Sequence, residues 1–178
     1  PACRCGRSTT TPFCSGAHRA WGFDGTETAE TGPTAERQVA YDGGTGIVVR
    51  KDPSLCTGAG FCGMRGAGIR QLVQRTSETA VRSLVVAMVE RCPSGSLTYA
   101  LDEAGEDIEP DLPARVGVVT EITSDGPIEG PLWVTGGIPV ERADGQPLET
   151  RNRVSLCRCG RSESKPLCDG AHRADPEA

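Results

Sequence analysis

The chain has 178 residues, enough for one compact domain or two small ones, and its 37% apolar and 4% aromatic content with 23 Gly and 13 Pro allows only a modest core among many turns. A net charge of −5 argues against the basic face that a nucleic-acid partner requires. No apolar run approaches the roughly 20 residues of a membrane span, and the opening residues PACRCGRS lack an apolar signal core, so the reading is a soluble cytoplasmic protein without a membrane partner.

In chain order, the first feature is CRCGRSTTTPFCSGAH, residues 3–18. A polar, turn-rich linker follows over 24–33. The β-branched run in Gly46–Asp52 predicts a strand, and CTGAGFC (56–62) a glycine-rich loop. Met64–Gln74 reads as a short helix weakened by Gly66 and Gly68. Ser77–Arg91 reads as the best helix: Val81, Leu84, Val85, Met88 and Val89 recur at i, i+3, i+4, i+7 and i+8. Thr76 or Ser77 can cap it, Glu78 suits its positive end, and Cys92-Pro93 stops it. Ser96–Leu101 is a strand candidate, and 102–113 an acidic connector that could steer a basic redox partner. Residues 115–123, 131–141 and 151–156 read as strands separated by turns at 124–130 and 142–147. The last strand runs straight into Cys157. No such strand precedes Cys3, so the N-terminal unit must borrow support from elsewhere in the fold.

Residues 157–174 repeat residues 3–20 at a shift of 154, identical at thirteen of eighteen positions, including every Cys and the His. The nine cysteines fall into three triads, 3/5/14, 56/62/92 and 157/159/168, and both histidines of the chain end a repeat. An odd cysteine count suits a disulfide framework poorly, and clustered thiols in a reducing compartment read as metal ligands.

Each repeat spaces its donors C-x-C-x8-C-x3-H. The i, i+4 Cys and His can share one face of a helical turn and grip one metal, and the C-x-C pair can grip another. That arrangement suits a 2Fe–2S cluster: Cys3 and Cys5 on one iron, Cys14 and His18 on the other, with Cys157, Cys159, Cys168 and His172 repeating it. Gly6 and Gly160 permit a tight backbone, Pro12 and Pro166 stiffen the loop, and Gly16 and Gly170 allow close approach. Asp169, or Ser15 in the first copy, can cap the turn that carries the histidine. A neutral imidazole in place of a thiolate raises the reduction potential, and acid competes with iron for it. Structural zinc is the bland alternative, although C-x-C is less usual for zinc than C-x2-C.

These residues resemble the CDGSH iron–sulfur domain family (mitoNEET-like). Cys157, Cys159, Ser162, Pro166, Cys168, Asp169, Gly170, Ala171 and His172 follow its motif throughout, and residues 3–18 follow it except at Ser15. The resemblance implies solvent-accessible, acid-labile 2Fe–2S clusters on three Cys and one His, electron or cluster transfer, and two units paired about a two-fold axis. With both units in one chain, a pseudo-symmetric monomer is expected.

Cys56, Cys62 and Cys92, with Pro93 after the last, resemble the ligands of a divergent single-cluster ferredoxin over about residues 46–102, with Ala59 where the middle loop cysteine would stand. A 3Fe–4S cluster, an empty or structural site, and a 4Fe–4S cluster with a non-cysteine fourth ligand are the three readings. Trp133 reads as packing, and Trp21 and Phe23 as cover for the first cluster's flank. With both histidines assigned as ligands and no Ser-His-Asp set or phosphate loop, an enzyme is not expected.

The expectation is therefore a turn-rich α+β fold: a CDGSH unit at 1–25, a ferredoxin-like segment at 46–102, and a β region with the second CDGSH unit at 113–178. The expected activity is electron or cluster transfer, with a redox protein or an apo iron–sulfur acceptor as partner. The alternatives are a redox or iron sensor, a zinc-stapled interaction module and an electron-feeding subunit of a larger enzyme.

Overall fold

The computed structural model describes residues 2–64 and 66–174. Ten regular elements follow in order: β1 (Val39–Ala40), β2 (Val48–Lys51), β3 (Gly63–Met64), β4 (Ala67–Gly68), α1 (Ile69–Val73), α2 (Thr79–Glu90), β5 (Leu97–Ala100), β6 (Arg115–Thr123), β7 (Gly126–Thr135) and β8 (Arg153–Leu156). They form antiparallel sheets β1-β2-β5, β3-β4 and β6-β7-β8. The mixed α+β expectation holds. Among the described residues, no helix is long and apolar enough to cross a membrane.

Two cores divide the work. In the first, the stripe of α2 lays Val85, Met88 and Val89 against Ile69, Leu72 and Val73 of α1 and against Val49 and Leu97 of β2 and β5. In the second, Val134 of β7 and Val154 of β8 pack with Leu55, Leu148, Leu167 and Ala29.

Buried Arg153 joins the two regions. Its guanidinium donates to the carbonyls of Glu90 (2.7 Å), Val89 (3.1 Å) and Leu97 (3.4 Å), a cation at the carbonyl end of α2. Burial lowers its proton affinity, and Glu109 at 3.5 Å works in the other direction. Trp133 Nε1 donates to the Pro93 carbonyl at 2.7 Å, so the expected packing role of this ring includes clasping the Cys92-Pro93 turn.

Several expectations need correction. The helix expected over 64–74 shrinks to α1, because Gly66 adopts φ +94° and residues 63–64 and 67–68 pair as a small hairpin. Neither Thr76 nor Ser77 caps α2: Glu78 is the N-cap residue, its carboxylate pairs with Arg75, and the Thr76 hydroxyl donates to the Val73 carbonyl. The turn read over 124–130 is mostly strand. Ladder partners on β6 carry β7 back to Gly126, and a bulge opposite Val119 accommodates Gly130 and Pro131, the latter lacking an N–H. The 24–33 linker is not wholly free, since Thr28 and Ala29 both donate to the Lys165 carbonyl. The acidic connector is anchored by Asp107, which accepts from Gln38, Arg50 and Thr98.

Candidate metal centres

The N-terminal repeat folds back on itself through the Ala2–Phe13 bridge and the Cys3 N–H to Pro12 carbonyl bond at 2.7 Å. The C-terminal repeat does the same with the Leu156–Leu167 bridge and Cys157 N–H to the Pro166 carbonyl at 2.9 Å. Both prolines follow cis peptide bonds. Each histidine sits in a three-residue 3₁₀ turn, Ala17–Arg19 or Ala171–Arg173, rather than in an α-helical turn. A glycine of positive φ, Gly16 at +83° or Gly170 at +92°, bends the chain between cysteine and histidine.

The donors then meet in pairs. Cys3 and Cys5 Sγ are 3.8 Å apart, and Cys157 and Cys159 Sγ 3.9 Å. Cys14 Sγ lies 3.6 Å from His18 Nδ1, and Cys168 Sγ 3.7 Å from His172 Nδ1. Two donors on one tetrahedral metal, with bonds of roughly 2.0–2.3 Å, stand about 3.5–3.8 Å apart. Among the described residues, no three His, Cys, Asp or Glu side chains close around a single metal ion. All nine cysteines are free of disulfides.

Backbone amides point at some of the sulfurs: Gly16 N–H reaches Cys14 Sγ at 3.4 Å, and Arg161 N–H reaches Cys159 Sγ at 3.5 Å. The Cys159 thiol is drawn down to about 5, first by its bond with Cys157 and further by Arg161. The same bond, with burial, pushes Cys157 up, and burial pushes Cys168 up to about 11. In the first repeat, burial raises Cys5. Burial also works on Cys3, but the backbone amides of Ser8 and Cys5 outweigh it and leave that thiol lowered. Each C-x-C pair thus offers one thiol predisposed to ionise.

The repeats touch through their glycines. A Cβ on Gly6 would stand 2.7 Å from the Cys159 carbonyl oxygen, and one on Gly160 would stand 3.0 Å from that of Cys5. Arg4 donates to the Cys157 carbonyl at 2.7 Å and to that of Pro166 at 2.9 Å, the borrowed support expected for the first unit.

The capping expectation needs correction: Gly170 and Gly16 are the N-cap residues of the two turns, and Asp169 and Ser15 act from one position earlier. Asp169 accepts from Ala171 N–H (3.0 Å) and Glu163 N–H (2.8 Å), while Ser15 accepts only the equivalent Thr9 N–H (3.4 Å). Gly170 approaches the Thr57 carbonyl closely, whereas Gly16 faces open space. Trp21 does not close over the first site: it is 65% exposed, with Arg7 stacked on it at 5.0 Å.

Sequence reading missed Glu121. This carboxylate on β6 stands 3.1 Å from His172 Nε2 and pairs with Arg173 at 2.6 Å. Burial opposes its charge, but Arg173 and His172 outweigh burial and hold it below the ordinary carboxylate range. Fifty-one residues separate it from the histidine, and the sequence pattern of β6 points the other way: Val116, Val118 and Ile122 form its apolar face, yet they are exposed, while Glu121 is on the half-buried face.

The middle triad shares one cavity. Cys56, Cys62 and Cys92 line one small open concavity, with Thr57–Phe61 as one wall and Pro93–Ser94 as another. Gly58 and Gly60, at φ +65° and +80°, turn the loop so that Cys56 and Cys62 face it.

Residues 129–173 match the family model described as iron-binding zinc finger, CDGSH type, and residues 41–102 match that of a divergent 4Fe-4S mono-cluster. Two segments of the chain are thus similar to iron-binding families, each over less than half of the chain's length. The first match leaves residues 3–18 outside it, and their reading rests on the internal repeat. No curated protein and no solved structure matches.

Proposed function

We propose that this chain, an iron–sulfur protein by its two matched segments, holds two 2Fe–2S clusters and acts in electron transfer or iron–sulfur cluster transfer. Cys3, Cys5, Cys14 and His18 hold one; Cys157, Cys159, Cys168 and His172 hold the other. The observation that carries this reading is the two-by-two meeting of donors at 3.6–3.9 Å in both copies. A lone tetrahedral zinc needs all its donors on one point, whereas a two-iron cluster needs two on each of two. When bound, such a cluster stores and passes single electrons. The chain's own residues supply thiolates, a neutral imidazole nitrogen and amides directed at sulfur. The reciprocal approach of Gly6 to Cys159 and of Gly160 to Cys5 supports a pseudo-two-fold pairing within one monomer.

The shared cavity of Cys56, Cys62 and Cys92 supports a third cluster, 3Fe–4S or 4Fe–4S with a non-cysteine fourth ligand. The N-terminal unit is the face for a partner, a redox protein or an apo iron–sulfur acceptor. His18 and Cys14 are half-exposed there, Phe13 is 66% exposed, and residues 2–23 hold three arginines and no acid. An acidic partner fits that face.

An iron and acid-labile sulfide count on the purified chain tests the reading. Four irons and four sulfides mean two terminal clusters; seven and eight add 3Fe–4S, and eight and eight add 4Fe–4S. Stoichiometric zinc without sulfide overturns it. Transfer to an apo-ferredoxin then separates a cluster donor from a carrier that exchanges electrons and keeps its iron.

A further inference from the structure

We propose that Glu121 is a positioning residue for His172, and that it makes the C-terminal site the retained one of the two. The inference rests on the reading of His172 as a cluster ligand.

The His172 ring is held at both ends: Nδ1 stands 3.7 Å from Cys168 Sγ, and Nε2 stands 3.1 Å from Glu121 Oε1. A carboxylate on the far nitrogen keeps the proton there and leaves the lone pair on Nδ1, facing the cysteine. It also makes the imidazole a stronger donor and fixes the plane of the ring. Glu121 is itself held. Arg173 donates Nε to Oε2 at 2.6 Å and Nη2 to Oε1 at 2.8 Å, and its remaining Nη1 donates to the Thr57 carbonyl. Two charged hydrogen bonds therefore fix the carboxylate before it meets the ring, and a third anchors the guanidinium that makes them.

The sheet explains why the carboxylate is there. Along β6, Val116, Val118, Thr120 and Ile122 face outward and exposed, while Gly117, Val119, Glu121 and Thr123 alternate with them, half-buried. Glu121 pairs in register with Ile128 of β7, just past the bulge that absorbs Gly130 and Pro131.

The first repeat has the same donors without this support. Cys14 Sγ to His18 Nδ1 is 3.6 Å, nearly the same as in the second copy. Among the described residues, His18 Nε2 has no hydrogen-bond partner, and His18 is half-exposed where His172 is 5% exposed. Arg19 matches Arg173 in sequence, but among the described residues no carboxylate pairs with it. The two sites share ligands and differ in what stands behind one of them.

The test uses the full-length, cluster-loaded chain as wild type, Glu121→Gln and Glu121→Ala, each also with Cys14→Ser so that the C-terminal site is read alone. Three quantities are measured at one neutral pH: the midpoint potential, the histidine nitrogen hyperfine coupling in the reduced protein, and the rate of iron loss to a chelator. In Glu121→Ala, loss from the C-terminal site quickens by about 10–100-fold, its potential moves positive, and its nitrogen coupling changes, while the N-terminal site in the Cys14-containing chain is unmoved. Glu121→Gln keeps an acceptor without the charge, so it restores most of the retention but keeps the positive shift. That split separates positioning from a simple loss of packing. If Glu121→Ala fails to load, the potential and coupling of Glu121→Gln decide. Wild-type potential, coupling and loss rate in both variants overturn the inference. A wild-type chain that takes up no iron and sulfide at Cys157, Cys159, Cys168 and His172 overturns the parent reading instead.

Discussion

The two cysteine–histidine repeats carry the same four donor types at the same spacing, and their donor pairs differ by no more than about 0.1 Å in separation. Their surroundings differ far more. In the C-terminal copy Cys157, Cys168 and His172 are buried, a strand leads into the first cysteine, an aspartate ties down the turn, and Glu121 backs the histidine. In the N-terminal copy only Cys3 is buried, a serine stands for the aspartate, and the unit leans on its twin through Arg4. Donor geometry and donor environment are thus set by different parts of the sequence: the first by an eighteen-residue repeat, the second by whatever the rest of the chain packs against it.

The widest separation between the copies should appear when iron is withdrawn. A chelator is expected to empty the loaded chain in two phases, the N-terminal site first and roughly tenfold or more ahead, in line with the effect of outer-shell support on metal retention. Cys14→Ser should delete the fast phase and Cys168→Ser the slow one, followed by visible absorbance. A single phase at equal rates would break the contrast. Next, Arg4→Ala removes two charged hydrogen bonds to the Cys157 and Pro166 carbonyls. It should cost about 1.5–3 kcal/mol of docking, read as earlier proteolytic cleavage within residues 3–23 while residues 157–174 stay protected.

Gly170→Ala and Gly16→Ala sharpen the contrast at one motif position. Both glycines have positive φ, so both substitutions carry backbone strain of about 1–3 kcal/mol. Only at 170 does the new methyl also meet the Thr57 carbonyl, so Gly170→Ala should lower the unfolding midpoint more. Equal losses would remove the packing difference. The smallest effect belongs to Ser15→Asp, which gives the first copy the acceptor that Asp169 provides in the second. The second carboxylate oxygen allows one further backbone N–H bond, a gain of about 0.5–1 kcal/mol, seen as a modest rise in denaturant midpoint, with Asp169→Ser giving the mirror loss.

Local chemistry was readable in the sequence, and long-range support was not. The α2 stripe announces itself by period, and β6 has the bounds expected for a strand ended by the turn-rich stretch that follows it. The repeat announced its donors, and the structure brings them together pairwise. The β7 start was misread because Gly126, Pro127, Gly130 and Pro131 carry the composition of a turn, and only pairing with β6 overrides it. The Thr76 cap was misread because its hydroxyl finds the Val73 carbonyl instead. Glu121 was invisible for a related reason: one acid on an alternating strand has no signal of its own until the fold sets a histidine beside it.

The approach of Gly170 to the Thr57 carbonyl binds two cysteine-bearing loops that lie more than a hundred residues apart in the chain, and Arg173 donates to the same carbonyl. No residue larger than glycine fits at 170 while the 56–62 loop keeps its path, and that loop cannot be lengthened or re-routed without releasing Arg173. A change of path in either loop is therefore felt in the other, so that the two cysteine-bearing segments tighten or loosen together.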